Sequence, residues 1–278
     1  MLEIGRLNNL RVVKEVDFGV YLDGEEFGEI LLPKKYVPKD CLPDSIIEVF
    51  IYLDSEDRII ATTQKPYAMV GEFAELKVVS VSAVGAFLDW GLQKDLLVPF
   101  REQKQKLIKG KSYVVYVYFD EKSARIAAST KLNKYLSNTF VDFQPREEVD
   151  LLICDETENG YNAIINNTHM GLIYKNDIFQ TLETGQKIKG YIKNIRDDNK
   201  IDLVLQKPGY GKVDNISQKI FDLIKEQDGF VSVTDKSPPE IIYKMFGVSK
   251  KTYKKAIGAL FKKRMITIEE NGIKVNIL

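Results

Sequence analysis

Glu75-Leu76-Lys77-Val78-Val79-Ser80-Val81, Gly85-Ala86-Phe87-Leu88-Asp89 and Leu96-Leu97-Val98-Pro99 are three short runs in which apolar residues cluster or alternate with polar ones. Runs this short, with turn residues between them, read as strands rather than helices. Downstream, Tyr113 to Phe119 alternates β-branched and aromatic side chains, and Arg125-Ile126-Ala127-Ala128-Ser129 adds a fifth strand. A longer polar connection, Phe100 to Gly110, separates the third strand from the fourth. Five strands with that gap suit a small closed Greek-key barrel of the OB type. An SH3-like barrel satisfies the same periodicity.

The same pattern recurs along the chain. A shift of 66 residues places Gly5 on Gly71, Leu10 on Leu76, Val12 on Val78, Gly19 on Gly85, Leu22 on Leu88 and Leu31 on Leu97. It also places Pro33 on Pro99, Val49 on Val115, Tyr52 on Tyr118, Asp54 on Asp120, Ile60 on Ile126 and Lys65 on Lys131. Coincidences spread over the whole unit mark a true internal repeat. A third, more diverged copy follows: Gly160 lies 75 residues after Gly85, Gly185 lies 75 after Gly110, and Gln206-Lys207 echoes Gln64-Lys65. Leu132 to Thr139 reads as a short helical or irregular connector before it.

The C-terminal part changes period. Ser217 to Gln227 carries Ile220, Phe221, Leu223 and Ile224 on one helical face and is closed by Asp228-Gly229. A second helix starts at Ser237 to Glu240, with Pro238 and Pro239 in its first turn, and breaks at Gly247. Ser249 caps a third, Lys250 to Lys263, and Met265–Ile268 with Ile273–Ile277 form a hairpin around Asn271-Gly272. Helix, helix, turn, helix, hairpin is the winged-helix order.

Composition bounds the function. Forty basic and 40 acidic residues cancel, which excludes a protein that coats nucleic acid by net charge alone. The charge is unevenly placed: between Ile241 and Ile268 there is no Asp or Glu, while Lys244, Lys250, Lys251, Lys254, Lys255, Lys262, Lys263 and Arg264 are all basic. Cys41 and Cys154, far apart in sequence, read as small core hydrophobes in a reducing cytoplasm. No apolar stretch is long enough to span a membrane, and no secretory signal is read at the N-terminus. Neither a glycine-rich phosphate loop nor a metal or cofactor motif occurs, and the single histidine, His169, lacks a partner motif, so catalysis is not expected. His169 reads as a solvated residue of a polar loop that could touch RNA.

Gly71 … Val84-Gly85-Ala86-Phe87-Leu88 … Leu96-Leu97-Val98-Pro99 … Gly110-Lys111 … Asp120 … Arg125 to Lys131 resembles the S1 RNA-binding domain, the OB-fold repeat of the large ribosomal protein that holds mRNA. Phe18-Gly19-Val20-Tyr21-Leu22 repeats the first part of the motif, and Gly171-Leu172-Ile173-Tyr174 resembles its third strand. Three such units plus a basic winged helix resemble the conserved virulence factor B family of bacterial RNA-binding regulators. The fold expected is mainly β with a C-terminal α+β domain. It comprises S1-like barrels at 1–66, 67–139 and 140–211, and a winged helix at 212–278.

The resemblance implies that RNA stacks on aromatics of the second and third strands, near a histidine position, which makes Phe18, Tyr21, Phe87 and Tyr174 candidates. Val98 and Leu32 stand near that histidine position, and Asn162 stands where Phe87 would be in the third unit. Read from the residues, the second unit supplies Phe87, Trp90 and Phe100 with Lys94, Arg101 and Lys104 nearby; Lys175 follows Tyr174. Exposed rings stack bases at roughly 1–3 kcal/mol each and cations neutralise phosphates. Phe87 and Phe100 equally suit barrel filling. Trp90, in the turn Asp89-Trp90-Gly91, reads as exposed or as a plug at the barrel end. On the winged helix Lys250, Lys251, Tyr253, Lys254, Lys255, Lys262, Lys263 and Arg264 form the expected contact surface, suited to phosphates rather than base edges. The partner expected is single-stranded RNA. A duplex-DNA regulator, or an adaptor docking on the ribosome or RNA polymerase, are the alternatives.

Overall fold

The computed structural model describes residues 2–137, 143–178, 180–205 and 211–276, with only the helical backbone for 211–215. The expected boundary at 139/140, the Gln206-Lys207 echo and the hairpin end at Ile277 lie outside the described residues.

Three closed five-stranded barrels succeed one another. The first contains β1 (Leu7–Val16), β2 (Gly19–Asp23), β3 (Glu29–Pro33), β4 (Ile46–Leu53) and β5 (Ile59–Thr62). The second contains β6 (Phe73–Val81), β7 (Gly85–Asp89), β8 (Leu96–Pro99), β9 (Ser112–Asp120) and β10 (Arg125–Ser129). The third contains β11 (Glu148–Glu156), β12 (Gly160–Ile165), β13 (His169–Tyr174), β14 (Lys187–Ile195) and β15 (Ile201–Val204). All share the strand order 1-2-3-5-4, closed by a parallel pairing of third strand with fifth: Leu31 with Ile60, Leu97 with Ala127, Gly171 with Ile201. That is the OB architecture, and it sets aside the SH3-like alternative.

The repeat positions explain the closure. The first strand of each barrel bulges, between Val12 and Lys14, Val78 and Ser80, and Ile153 and Glu156, which bends it around the barrel. Gly19, Gly85 and Gly160 open each second strand, where a Cβ would collide with the carbonyl oxygen of Leu32, Val98 or Ile173. Only glycine permits that approach.

The winged helix consists of α1 (Gly211–Glu226), β16 (Phe230–Val231), α2 (Pro239–Phe246), α3 (Lys250–Lys262), β17 (Ile266–Glu269) and β18 (Gly272–Val275), with sheet order β16-β18-β17. Gly247 at φ 65° ends α2, and the Ser249 side chain accepts from the Thr252 amide to cap α3. Its core gathers Ile220, Ile224, Ile242, Phe246, Tyr253, Ile257, Leu260 and Ile273. Among the described residues no helix is long and apolar enough to cross a membrane. Cys154 is buried and Cys41 half-buried, both free thiols, and burial pushes the Cys154 thiol up to about 12.

Barrels one and two share an interface. On β4, Val49 and Ile51 point into the first barrel, while Phe50 and Tyr52 join the cluster of the second. Trp90 completes that junction. It is 3% exposed, meets Phe50 edge-to-face with centroids 5.7 Å apart, and donates its indole N–H to the Lys94 carbonyl at 2.5 Å. Of the two readings of this turn residue, exposed or a plug at the barrel end, the exposed one fails, because the turn is covered by the neighbouring barrel.

Candidate nucleic-acid interface

Strand alternation decides which side chains the barrel face offers. On β7, Ala86 and Leu88 are buried inward and Phe87 points outward, paired in register with outward Leu97 of β8. Val98 and Leu32, at the histidine positions, are fully buried in their barrels. Phe100, in the turn that follows β8, is 47% exposed and Val84 58%. These residues line a groove of about 580 Å³ together with Pro99, Arg101 and Arg125. Its opposite wall is Tyr52, Leu53, Ser55 and Asp57 of the first barrel. Phe87 and Phe100 thus stand on the face rather than filling the barrel.

The cations of this groove are individually held. The Arg101 guanidinium lies 3.0 Å from the Asp120 carboxylate, yet the side chain stays 63% exposed. Lys94 donates to the Asp54 carbonyl at 2.5 Å and lies 3.4 Å from Asp57, so it ties the two barrels together instead of waiting for phosphate. Arg125 pairs with Asp57, and this hydrogen bond holds the Asp57 carboxyl below the usual carboxylate range. Arg125 and Asp57 are not among the site residues the sequence suggests. Arg125 stood within the quoted motif, but nothing local marks Asp57, whose place depends on one barrel packing on the next.

The first barrel repeats the arrangement. Phe18 is 57% exposed and stands edge-to-face with half-buried Tyr21 at 6.3 Å, and the Lys14 ammonium lies 4.9 Å from the Tyr21 centroid. In the third barrel Tyr174 is half-buried with Arg196 over its ring at 5.8 Å, and Lys175 pairs with Glu156 at 3.3 Å. Lys104 of the second barrel is exposed and 3.5 Å from Asp155 of the third. Asn162 and His169 line a cavity of about 510 Å³ with Arg196 and Lys200. His169 opens β13 rather than lying in a loop, and its Nδ1 lies 2.9 Å from the Thr168 hydroxyl.

On the winged helix the expected cluster divides. Lys251, Lys255, Lys262, Lys263 and Arg264 are exposed, and α3 carries no acidic residue. Lys250 is half-buried and donates to the carbonyls of Lys236 (3.3 Å) and Ser237 (2.8 Å), while Lys254 lies 3.3 Å from Asp235. Tyr253, expected on the contact surface, does not reach it. It is fully buried, stacks on Phe246 at 4.9 Å and donates its hydroxyl to the Val233 carbonyl at 2.9 Å, because it falls on the apolar face of α3.

With this geometry in place, comparison with known proteins is informative. The S1 domain model matches residues 4–64 and 70–131, and the CvfB-like winged helix domain model matches 218–275. An uncharacterized Bacillus subtilis protein, YitL, is 26% identical over 96% of this chain and 92% of its own length. Conserved virulence factor B of Staphylococcus saprophyticus is 24% identical over 81% of this chain and 77% of its own. A crystal structure of a multidomain protein with nucleic acid binding domains from Streptococcus pneumoniae aligns over 98% of both chains at 21% identity, with a TM-score of 0.43.

Proposed function

The chain belongs to the conserved virulence factor B family, S1-type barrels followed by a CvfB-like winged helix, and on that premise we propose a nucleic-acid-binding regulator that grips single-stranded RNA. One observation carries the reading. Two barrels related by the 66-residue repeat each present outward rings beside cations from neighbouring strands and turns: Phe18 and Tyr21 near Lys14, and Phe87 and Phe100 near Arg101. Rings of this kind stack unpaired bases without strong sequence preference, and a paired duplex offers them no base faces. The basic surface of α3 adds phosphate contacts, and modules tethered in one chain reinforce each other through effective concentration.

In the regulatory role we propose, bound RNA is held rather than converted. Anisotropy titration with single-stranded RNA, duplex RNA and duplex DNA at two salt concentrations tests the proposal. Tightest binding to the single strand, weakened at least severalfold by Phe87→Ala, is expected. Equal or tighter binding to duplex DNA would favour a winged-helix DNA regulator, a reading supported by the acid-free run from Ile241 to Ile268.

A further inference from the structure

We propose that the groove of the second barrel is a composite site, completed by the β4–β5 turn of the first barrel, in which the Asp57 carboxylate reads the amino edge of one RNA base. This rests on the single-strand reading above and supplies what that reading lacks, a source of base preference.

Stacking on Phe87 and Phe100 tolerates any base, so preference requires hydrogen-bonding groups at a base edge. Beside those rings the second barrel supplies apolar Val84, Leu97 and Pro99, and two carboxylates, Asp95 and Asp120. Asp120 is engaged by the Ser123 hydroxyl at 2.9 Å and by Arg101, and Asp95 is an exposed carboxylate at the same groove. The first barrel brings a further acceptor, one held by cations of the second barrel. Asp57 lines the groove, is 39% exposed, and receives bonds from Arg125 and Lys94. A carboxylate offers about four lone-pair directions, so acceptor capacity remains on its open side.

The turn is fixed before any ligand arrives. The Asp57 amide donates to the Asp54 carbonyl at 3.1 Å, Arg58 pairs with the Asp54 carboxylate at 2.7 Å, and Lys94 reaches across from the second barrel to the Asp54 carbonyl. An acceptor placed this way loses little ordering entropy on binding. The phosphate backbone is left to the Arg101 side of the groove, where the guanidinium is 63% exposed. The base edge then faces Asp57. Cytosine and adenine present exocyclic amino groups that donate to a carboxylate, whereas the single N–H of uracil lies between two carbonyls that it repels.

The test is anisotropy with labelled oligo(C), oligo(A) and oligo(U) RNA of about ten nucleotides, a length within the span of OB-fold sites, against the full chain and its Asp57→Asn variant. Asparagine matches the side chain in shape and also tolerates the left-handed φ of 61° at this position. The wild-type protein is expected to favour oligo(C) over oligo(U) by about fivefold, and Asp57→Asn to bring the two within about twofold. Phe87→Ala should weaken all three oligomers alike and leave their ratios in place. A wild-type protein that does not distinguish the oligomers, or an unchanged ratio in Asp57→Asn, overturns the proposal while the RNA reading stands. No binding to any oligomer overturns both.

Discussion

Phe87 and Trp90 are three residues apart and have opposite fates. Phe87 follows strand alternation to the outer face, while Trp90 is sealed under the neighbouring barrel against Phe50. Truncating a buried tryptophan removes a large contact area and leaves a cavity, so Trp90→Ala should destabilise the barrel pair by about 3–5 kcal/mol in denaturant titration. As the only tryptophan, Trp90 also makes fluorescence a probe of this junction, with blue-shifted emission expected to move red as the pair unfolds. Asp57 has a residue-scale consequence of its own. Its folded pKa is depressed by Arg125, so the carboxylate is charged above that lowered value and protonates only as pH falls through it. The oligo(C) preference should therefore survive at about pH 5, near ordinary carboxylate values, and fade only in stronger acid. Loss of the preference by that pH, in anisotropy, would remove Asp57 as the reader.

At the scale of elements, the fourth strand of each of the first two barrels packs on both sides. Phe50 and Tyr52 of β4 face the second barrel, and the repeat-equivalent β9 turns Val114 and Tyr116 towards Tyr135, Leu136, Leu152 and Ile164. Tyr116 stacks on Tyr135 at 4.1 Å. Each junction thus uses the fourth strand and leaves the second and third free to carry the outward rings. The glycine that opens each second strand is equally structural. Gly85→Ala should cost about 1–3 kcal/mol in thermal or chemical denaturation, because the added methyl meets the Val98 carbonyl. The helix interior behaves oppositely: nothing lies near a Cβ at Gly258 of α3, so Gly258→Ala should stabilise by about 0.5–1 kcal/mol.

For the whole molecule, a net charge of zero conceals a division of labour. The barrel cations are largely paired with acids, as in Arg101 with Asp120, Lys104 with Asp155 and Lys175 with Glu156. The exposed lysines of α3 share their helix with no acid. Salt dependence should therefore come largely from the winged helix. Replacing Lys251, Lys255 and Lys262 together by Gln should reduce the magnitude of the log affinity against log salt slope by about 2 for single-stranded RNA, if each lysine meets one phosphate. An unchanged slope would take α3 out of the interface.

Strand positions, three barrels and the winged-helix order were legible in the residues themselves. Alternation, glycine placement and helix caps are local signals, and the 66-residue repeat carries the same strand pattern from one barrel to the next. Which ring faces water was only half legible. Alternation places Phe87, but Trp90 and Tyr253 are buried by segments that meet them only in the folded chain. Asp57 carried no signal at all, since its position over the second barrel's groove exists only once the first barrel has packed there. Local periodicity determines an element and its sides. What covers a side, and which charges find partners, depends on contacts between residues far apart in sequence, and those the tertiary structure alone decides.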